Sequence, residues 1–158
     1  MAKTNAMRLL EQAGIVYRTV EYEYDENNLA GEHVAEMIGL PQEQVFKTLI
    51  AHGDKTGVQV FCIPVNGELD LKKAASVTQN KKLEMLHVKD LLNTTGYIRG
   101  GCSPVGMKKK FDAFIDETAT LFDEISVSAG VRGCQMILHP DDLIRFTEAT
   151  ICDIVAYL

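Results

Sequence analysis

Long apolar runs are absent from this chain of 158 residues, and their absence argues against a membrane-spanning helix. No segment approaches the roughly 20 consecutive apolar residues that a membrane-spanning helix requires. The first 14 residues, MAKTNAMRLLEQAG, alternate polar and apolar positions at helical spacing, and they lack the continuous apolar segment of a signal peptide. We therefore expect a cytoplasmic protein with no membrane partner.

Clustered metal ligands and paired cysteines are also missing. The four cysteines and four histidines are far apart and form no C-x-x-C pair and no group at a metal-binding spacing. A chain of this length can form a core without disulfides, so we expect free thiols in a reducing compartment. The sequence predicts no metal and no cofactor. The residues concerned are Cys62, Cys102, Cys134, Cys152, His33, His52, His87 and His139.

The net charge of −6 argues against simple nucleic-acid binding, but the charges are unevenly distributed. Residues 47–110 carry eleven basic and five acidic side chains. Residues 1–46 carry three basic and eight acidic side chains, and residues 111–158 carry two and nine. A basic block between acidic ends favours a polyanionic ligand at one face, although an ordinary solvated surface gives the same counts.

Helical and extended patterns alternate along the chain without the rhythm of βαβ units. The strongest strand signal is a hairpin, formed by apolar runs at 45–53 and 58–65 around a glycine-containing turn. The last eight residues fit either a strand or a helix. The prediction is one α+β domain, residues 1–158, with a mixed sheet. Other strands are predicted at 15–24, 113–117, 125–130 and 134–138, and helices follow Thr4, precede Gly39, and begin at Asp70, His87 and Pro140.

Lys47 lies on one of the most apolar strands, in the run Val45-Phe46-Lys47-Thr48-Leu49-Ile50. An ammonium group normally stays in water, because burying it costs free energy unless something pairs with it. Two interpretations are open. The lysine faces outward at an edge, or it is partly desolvated and serves as an anion receptor or a reactive amine.

The segment from Thr94 to Phe111 is the most glycine-rich of the chain and is predicted to be a loop. It contains four glycines, Pro104 and three successive lysines, which no regular element accommodates well. The pair Gly100 and Gly101 beside a basic run could cradle an anion with backbone N–H groups. The spacing matches neither the Walker nor the dinucleotide motif, so an ordinary turn is the other interpretation.

Four segments together resemble the YbaK/EbsC family of aminoacyl-tRNA deacylases, which are relatives of the editing domain of bacterial prolyl-tRNA synthetases. The segments are LLEQAGIVYRTVEYEYD, VFKTL around Lys47, GYIRGGCSPVG with its following lysines, and VSAGVRG. The resemblance covers nearly the whole chain. It implies a single α+β domain with a mixed, curved sheet flanked by helices, and removal of cysteine mischarged onto tRNA(Pro), with some members acting on other aminoacyl-tRNAs.

The resemblance also implies roles for particular residues. The catalytic set that it implies is Lys47, Gly100, Gly101 and Ser128, with the glycine backbone holding the aminoacyl carbonyl. The substrate-binding set that it implies is Tyr22, Thr48, Gly130 and Gln135. Gln135 is a departure, because some members carry an aspartate there. A carboxylate role at this position is lost, although an amide can still bind substrate through hydrogen bonds.

The chemistry implied by the family takes its nucleophile from the substrate. The cysteine's own thiol attacks its carbonyl, and proximity favours such an intramolecular step. Backbone N–H groups at the glycine pair would stabilise the oxyanion. Cys102 and Cys134 flank the motifs, and a thiol nucleophile from the protein is the other interpretation, set against small apolar side chains beside tight turns.

Basic residues of the middle block are predicted to contact the tRNA acceptor stem without reading its sequence. We expect aminoacyl-tRNA, tRNA(Pro), as the ligand and prolyl-tRNA synthetase as the partner that would supply tRNA identity. A binding module that keeps the pocket without the chemistry remains an alternative, as does a Schiff-base enzyme acting through Lys47. The predicted tRNA contacts are Lys72, Lys73, Lys81, Lys82, Lys108, Lys109 and Lys110.

Overall fold

Ten short strands and five short helices alternate along the part of the chain that the computed structural model describes, residues 1–157. Leu158, the last residue of the predicted domain and of its terminal segment, lies outside these residues. The helices are α1 Asn5–Gln12, α2 Gly31–Ile38, α3 Leu71–Thr78, α4 Val88–Thr95 and α5 Pro140–Thr147. The strands are β1 Tyr17–Glu21, β2 Phe46–Gly53, β3 Gly57–Pro64, β4 Gly67–Leu69, β5 Leu83–Met85, β6 Ala113–Asp116, β7 Ile125–Ser128, β8 Cys134–Leu138, β9 Thr150–Cys152 and β10 Val155–Tyr157.

The largest sheet has the strand order β5-β2-β3-β6-β9. Strand β2 pairs antiparallel with β3 along its whole length and with β5 at one end, whereas β3–β6 and β6–β9 are parallel pairs. A second sheet, β1-β8-β7, is antiparallel, and β10 pairs with β4. The predicted α+β class with a mixed sheet is confirmed.

The helix ends follow the capping chemistry that the sequence predicts. The Thr4 hydroxyl accepts a hydrogen bond from the backbone N–H of Met7 at 3.2 Å, and the Asp70 carboxylate accepts from the first turn of α3. Gly39 ends α2 in the left-handed conformation (φ 74°), which glycine adopts without strain. Pro140 occupies the first turn of α5.

Two apolar clusters cover the two faces of the large sheet. One contains Phe46 and Ile50 of β2 and packs against α1, β7 and β8, where Leu10 and Met136 are fully buried. The other contains Ala51 and Phe61 and packs against α3. Alternate residues of β2 therefore enter opposite clusters, as the period of two in a strand requires. The edge of β2 away from β3 is paired only in part, which leaves it open for function.

The structure decides between the two interpretations of the terminal segment, which forms the strands β9 and β10. The predicted strand at 15–24 is shortened to Tyr17–Glu21. The parallel pairs β3–β6 and β6–β9 also lack any local signal, because they join segments far apart in the chain. Within residues 1–157, none of the helices is long and apolar enough to cross a membrane.

Candidate active site at the open edge of strand β2

A cavity of about 410 Å³ lies where the edge of β2 opposite β3 has no neighbouring strand. Strand β5 pairs with β2 only from Ala51 to Gly53. At the other end of the opening, a single parallel bridge joins Val45 to Ser126. The cavity occupies the opening between them. Its lining is Leu29, Ala30, Gly31, Glu32, Phe46, Lys47, Thr48, Leu49, Ile50, Met85, Leu86, Val88, Leu91, Arg99, Gly100, Cys102 and Ser128.

The backbone of β2 contributes polar groups to this cavity. The carbonyl of Val45 accepts from Val65, on the β3 side, whereas the carbonyl of Ile50 accepts from Leu86, on the opposite side. Backbone groups in an antiparallel strand point alternately to its two sides. The N–H and C=O of Thr48 therefore face the opening, in the same direction as those of Ile50. A ligand in the cavity meets one donor and one acceptor of a rigid strand.

The side chain of Lys47 is half-buried and lines the cavity. Within residues 1–157 its ammonium takes part in no ion pair. Of the two interpretations of this lysine, the cavity favours an anion receptor over a side chain at an ordinary solvent-facing edge. A cation that is held beside apolar strand residues interacts with an anion more strongly than one in bulk water.

The paired glycines have different surroundings. Gly100 lines the cavity in the left-handed conformation (φ 85°), and a Cβ there would lie 3.1 Å from Leu29 Cδ2. Gly101 is buried, and a Cβ there would lie 3.2 Å from the backbone of Val131 and Arg132. Its N–H already donates to the Ile98 carbonyl at 3.0 Å. Gly101 thus lets two loops approach closely. Its N–H, which was predicted to stabilise the oxyanion, is already used in a hydrogen bond of the turn.

Ser128 lies at the end of β7 and lines the cavity, where it is only 8% exposed. Its hydroxyl accepts a hydrogen bond from the N–H of Gly130 at 3.1 Å, which fixes the turn after the strand. Gly130 itself packs against the ring of Tyr97 with φ 97°, and it is not among the residues that line the cavity. Gly130 therefore positions the Ser128 hydroxyl and does not itself line the cavity.

Two predicted substrate contacts also lie away from the cavity lining. The N–H of Tyr22 donates to the Gly133 carbonyl at 2.9 Å, and its side chain is half-buried elsewhere. Gln135 is 5% exposed, and its side-chain oxygen accepts from the Ser126 hydroxyl at 2.8 Å. The amide of Gln135 thus has a structural partner in the sheet. Direct substrate contacts by these two residues stay predictions.

Cys102 lines the cavity but is poorly suited to attack a substrate. Burial raises the pKa of its thiol to about 12, against a smaller opposing effect of a hydrogen bond with Thr95. Burial likewise raises the pKa of Cys62 to about 12, and the Thr48 hydroxyl lies 4.0 Å from its sulfur. Because the thiolate is the nucleophilic form, a thiol that stays protonated at neutral pH is an inert wall residue.

The lysines predicted to contact tRNA are scattered and partly paired. Lys73 forms an ion pair with Asp153 at 3.1 Å, and Lys82 and Lys110 pair with Glu84 and Glu148. Lys109 and Lys110 line a separate cavity of about 260 Å³ beside Phe111 and Phe146. Lys108 contacts the Asn93 carbonyl at 3.5 Å, and Lys72 and Lys81 are exposed. Their contact with tRNA stays a prediction.

Several lining residues were not predicted from the sequence. Two of them are large apolar side chains that are exposed by 41% and 62%, Met85 on β5 and Val88 on α4. Leu92 of α4 is also an exposed apolar side chain, at 51%, but it is not among the lining residues. Glu32 contributes an acidic group, and Arg99 contributes a basic one. Arg99 lies within the glycine-rich segment, and its position next to Gly100 is the sequence feature from which it could have been predicted. Within residues 1–157, no group of histidines, cysteines and carboxylates is placed to hold a metal ion.

The fold and the site together define a class of protein. An unpaired cation, a left-handed glycine turn and an open strand edge meet in one cavity on a mixed α+β sheet, which suits the capture of an anionic ligand end. The chain belongs to the family of aminoacyl-tRNA editing domains, whose family model matches residues 26–146. This agrees with the resemblance to the YbaK/EbsC proteins.

Individual relatives support the same assignment. A protein of Enterococcus faecalis, provisionally named the Cys-tRNA(Pro)/Cys-tRNA(Cys) deacylase EbsC, is 50% identical over 152 residues, covering 96% of this chain and 93% of its own. A proline–tRNA ligase of Thermosipho africanus is 28% identical over 58% of this chain and 16% of its own. A crystal structure provisionally described as a trans-editing enzyme for prolyl-tRNA synthetase superposes with a TM-score of 0.84, at 24% identity, over 98% of this chain and 99% of its own. That last likeness concerns the fold.

Proposed function

We propose that this protein is a trans-editing deacylase that removes cysteine from mischarged tRNA(Pro). The observation that carries the proposal is the meeting of Lys47, Gly100 and Ser128 in one cavity at the open edge of β2. Family membership supports it, because the 50% identical protein of Enterococcus faecalis is provisionally named a Cys-tRNA(Pro)/Cys-tRNA(Cys) deacylase. The ligand that this arrangement fits is the aminoacylated 3′ end of a tRNA.

The open strand edge would orient the aminoacyl group. The backbone donor and acceptor of Thr48 suit the carbonyl and amino groups of the ester, and the carboxylate of Glu32 suits its α-ammonium group. Lys47 would hold the ribose or the nearby phosphate as a cation. The exposed apolar side chains of Met85 and Val88 would pack against the terminal base, since bases stack readily on apolar and aromatic surfaces.

The chemical step needs no nucleophile from the protein. The thiolate of the substrate cysteine attacks its own carbonyl carbon, so a C–S bond forms and the C–O ester bond to the ribose breaks. The ribose oxygen leaves as a hydroxyl and takes up the proton that the thiol has lost. The product is a thiolactone, which water opens to free cysteine. The elevated pKa of Cys102 supports this route over a nucleophilic thiol from the enzyme.

The test is a deacylation panel with Cys-, Ala-, Ser- and Pro-tRNA(Pro). We expect rapid release from Cys-tRNA(Pro), and loss of turnover when the substrate thiol is methylated, because the attacking group is then blocked. Equal cleavage of Ala-tRNA(Pro) would contradict the substrate-thiol mechanism. Tight, salt-sensitive binding of tRNA with no release of any amino acid would indicate the alternative, a non-catalytic binding module.

A further inference from the structure

The basic residues of the chain fall into two groups according to their partners. Lys73, Lys82 and Lys110 each have a carboxylate within ion-pair distance. Arg99 is exposed, lines the cavity, and takes part in no ion pair within residues 1–157. A cation without a carboxylate partner gives up no ion pair when a phosphate binds, whereas an exposed paired lysine gives up one worth about 0–1 kcal/mol. Arg99 and Lys47, the two basic residues of the cavity lining, are therefore both available to a phosphate without the loss of an ion pair.

A second arginine holds the first in place. The Nε–H of Arg132 donates to the backbone carbonyl of Arg99 at 2.8 Å. The same Nε would lie 3.4 Å from a Cβ at Gly100, so the guanidinium lies against the glycine turn. Only one of its five N–H groups is used by this hydrogen bond. Arg132 also takes part in no ion pair of the described residues. The Arg132 side chain thus links the backbone of Arg99 to the turn at Gly100.

Guanidinium groups are matched to phosphate more closely than ammonium groups are. Their planar fork donates two parallel hydrogen bonds to phosphate oxygens, while lysine acts as a point charge. In an aminoacyl-tRNA the phosphodiester nearest the ester lies on the 5′ side of the terminal adenosine. A ligand whose ester reaches Lys47 and Gly100 would bring that phosphate to the mouth of the cavity.

We propose that Arg99, positioned by Arg132, binds the phosphodiester 5′ to the terminal adenosine. This inference rests on the proposed function and gives it a defined phosphate contact at the mouth of the pocket. Arg99 is a binding residue, and Arg132 is a positioning residue that fixes the backbone of Arg99. The paired lysines of the middle block then contribute less to tRNA affinity than the sequence suggests.

The experiment compares two substrates that differ in their phosphates. One is Cys-tRNA(Pro), and the other is 3′-O-cysteinyl adenosine, which has no phosphate. For Arg99→Gln we expect kcat/KM to fall about tenfold on the tRNA and to stay within twofold on the small ester, in keeping with the loss of one base-independent phosphate contact. The slope of log affinity against log salt should fall by about 0.7, the value for one contact to a single strand.

Matched variants separate this role from general charge and packing effects. Arg145→Gln makes the same change on α5, where Arg145 pairs with Asp142, and should leave both substrates unaffected. Arg132→Lys keeps the charge but not the fork geometry, and should raise KM for the tRNA severalfold without changing kcat on the small ester. Equal losses on both substrates for Arg99→Gln, or no loss on either, would overturn the proposal.

Failure of the proposed function gives a different result. In that case the wild-type protein cleaves neither substrate, and the phosphate contact is tested by measuring tRNA binding alone. A lower salt slope for tRNA binding by Arg99→Gln than by the wild type would support the contact, and identical slopes would overturn it.

Discussion

The two ends of strand β2 have opposite characters. At the Gly53 end both edges are paired, and the adjoining hairpin turn is fastened by Asn80, whose side chain accepts from the N–H groups of Lys55 and Thr56. At the Phe46 end one edge is open, and the ammonium of Lys47 has no carboxylate partner among the described residues. One end is satisfied internally, while the other leaves polar groups for a ligand.

The difference shows how one strand serves both stability and binding. Asn80 is 8% exposed and also donates to the hydroxyls of Thr56 and Thr78, each at 2.7 Å. Such a network stabilises the folded state because every buried polar atom has a partner. The open end lacks that stabilisation, and its polar groups remain available to a ligand.

The largest effects are expected from removing the key side chain at each end of β2. Lys47→Ala should lower the deacylation rate by about 10²–10³-fold, as the loss of a preorganised electrostatic contact does, with little change in melting temperature. Asn80→Ala should do the reverse. It removes five hydrogen bonds of a buried side chain and should destabilise the fold by about 2–4 kcal/mol, with activity per folded molecule unchanged.

Single-turnover kinetics and urea unfolding of both variants check this prediction. Lys55→Ala is the control for the lysine, because Lys55 is exposed in the turn at the closed end and only its backbone contacts Asn80. We expect Lys55→Ala to match the wild type in both measurements. Full activity of Lys47→Ala would remove the open end from the catalytic site.

An intermediate effect is expected from alanine substitutions of two glycines, Gly100 beside the open end of β2 and Gly57 beside its closed end. Gly100 and Gly57 both have left-handed backbones (φ 85° and 74°), so alanine should destabilise the fold at either position by about 1–2 kcal/mol. Only Gly100 borders the cavity, and only there would the added Cβ contact another side chain, Leu29. Gly100→Ala should therefore lower activity about tenfold, whereas Gly57→Ala should not. Equal activity of the two variants would contradict a special role for the Gly100 turn.

The smallest expected effect is that of Cys102→Ala, which should retain activity within threefold. With a pKa of about 12, only about one thiol in 10⁵ is ionised at pH 7, too few for a nucleophile. A hundredfold loss would instead indicate a thiol nucleophile from the enzyme. Deacylation of Cys-tRNA(Pro) at constant pH makes this comparison.

The same thiol gives a test by pH. Burial raises the pKa of Cys102 and Cys62 to about 12 in the folded protein, above the ordinary value of about 8.5 in the unfolded chain. Each buried thiol therefore contributes stability that is complete below about pH 8.5 and is lost as the pH rises towards 12. The melting temperature of the wild type should fall over this range, and that of Cys102→Ala should fall less steeply.

Local signals in the sequence predicted most of the elements. Thr4, Asp70 and Pro140 begin helices because their capping chemistry acts within one turn, and the β2–β3 hairpin follows from two adjacent apolar runs. The parallel pairing of β3 with β6 was not predictable, because it joins Val60 to Ala113 and has no pattern of its own. Long-range pairing is decided by the packing of the whole core.

The candidate site shows the same division. Lys47, Thr48, Gly100 and Ser128 were proposed from motifs and line one cavity. Gly101, Tyr22, Gly130 and Gln135 were proposed from the same motifs and have structural neighbours instead. A motif identifies residues close in sequence to the site, but it does not tell which of them face the cavity. Arg99 was missed for the same reason, since only the fold brings it to the mouth of the pocket.

The shortness of the opening along β2 has a consequence for the protein's behaviour in solution. An uncovered strand edge can recruit a strand from another molecule and start aggregation. Here the bridge at Val45 and the pairing of Leu86 with Ile50 leave only positions 47–49 open, about 10 Å of strand, whereas strands are usually five to six residues long. This opening therefore offers a second polypeptide fewer positions than a strand of ordinary length would occupy.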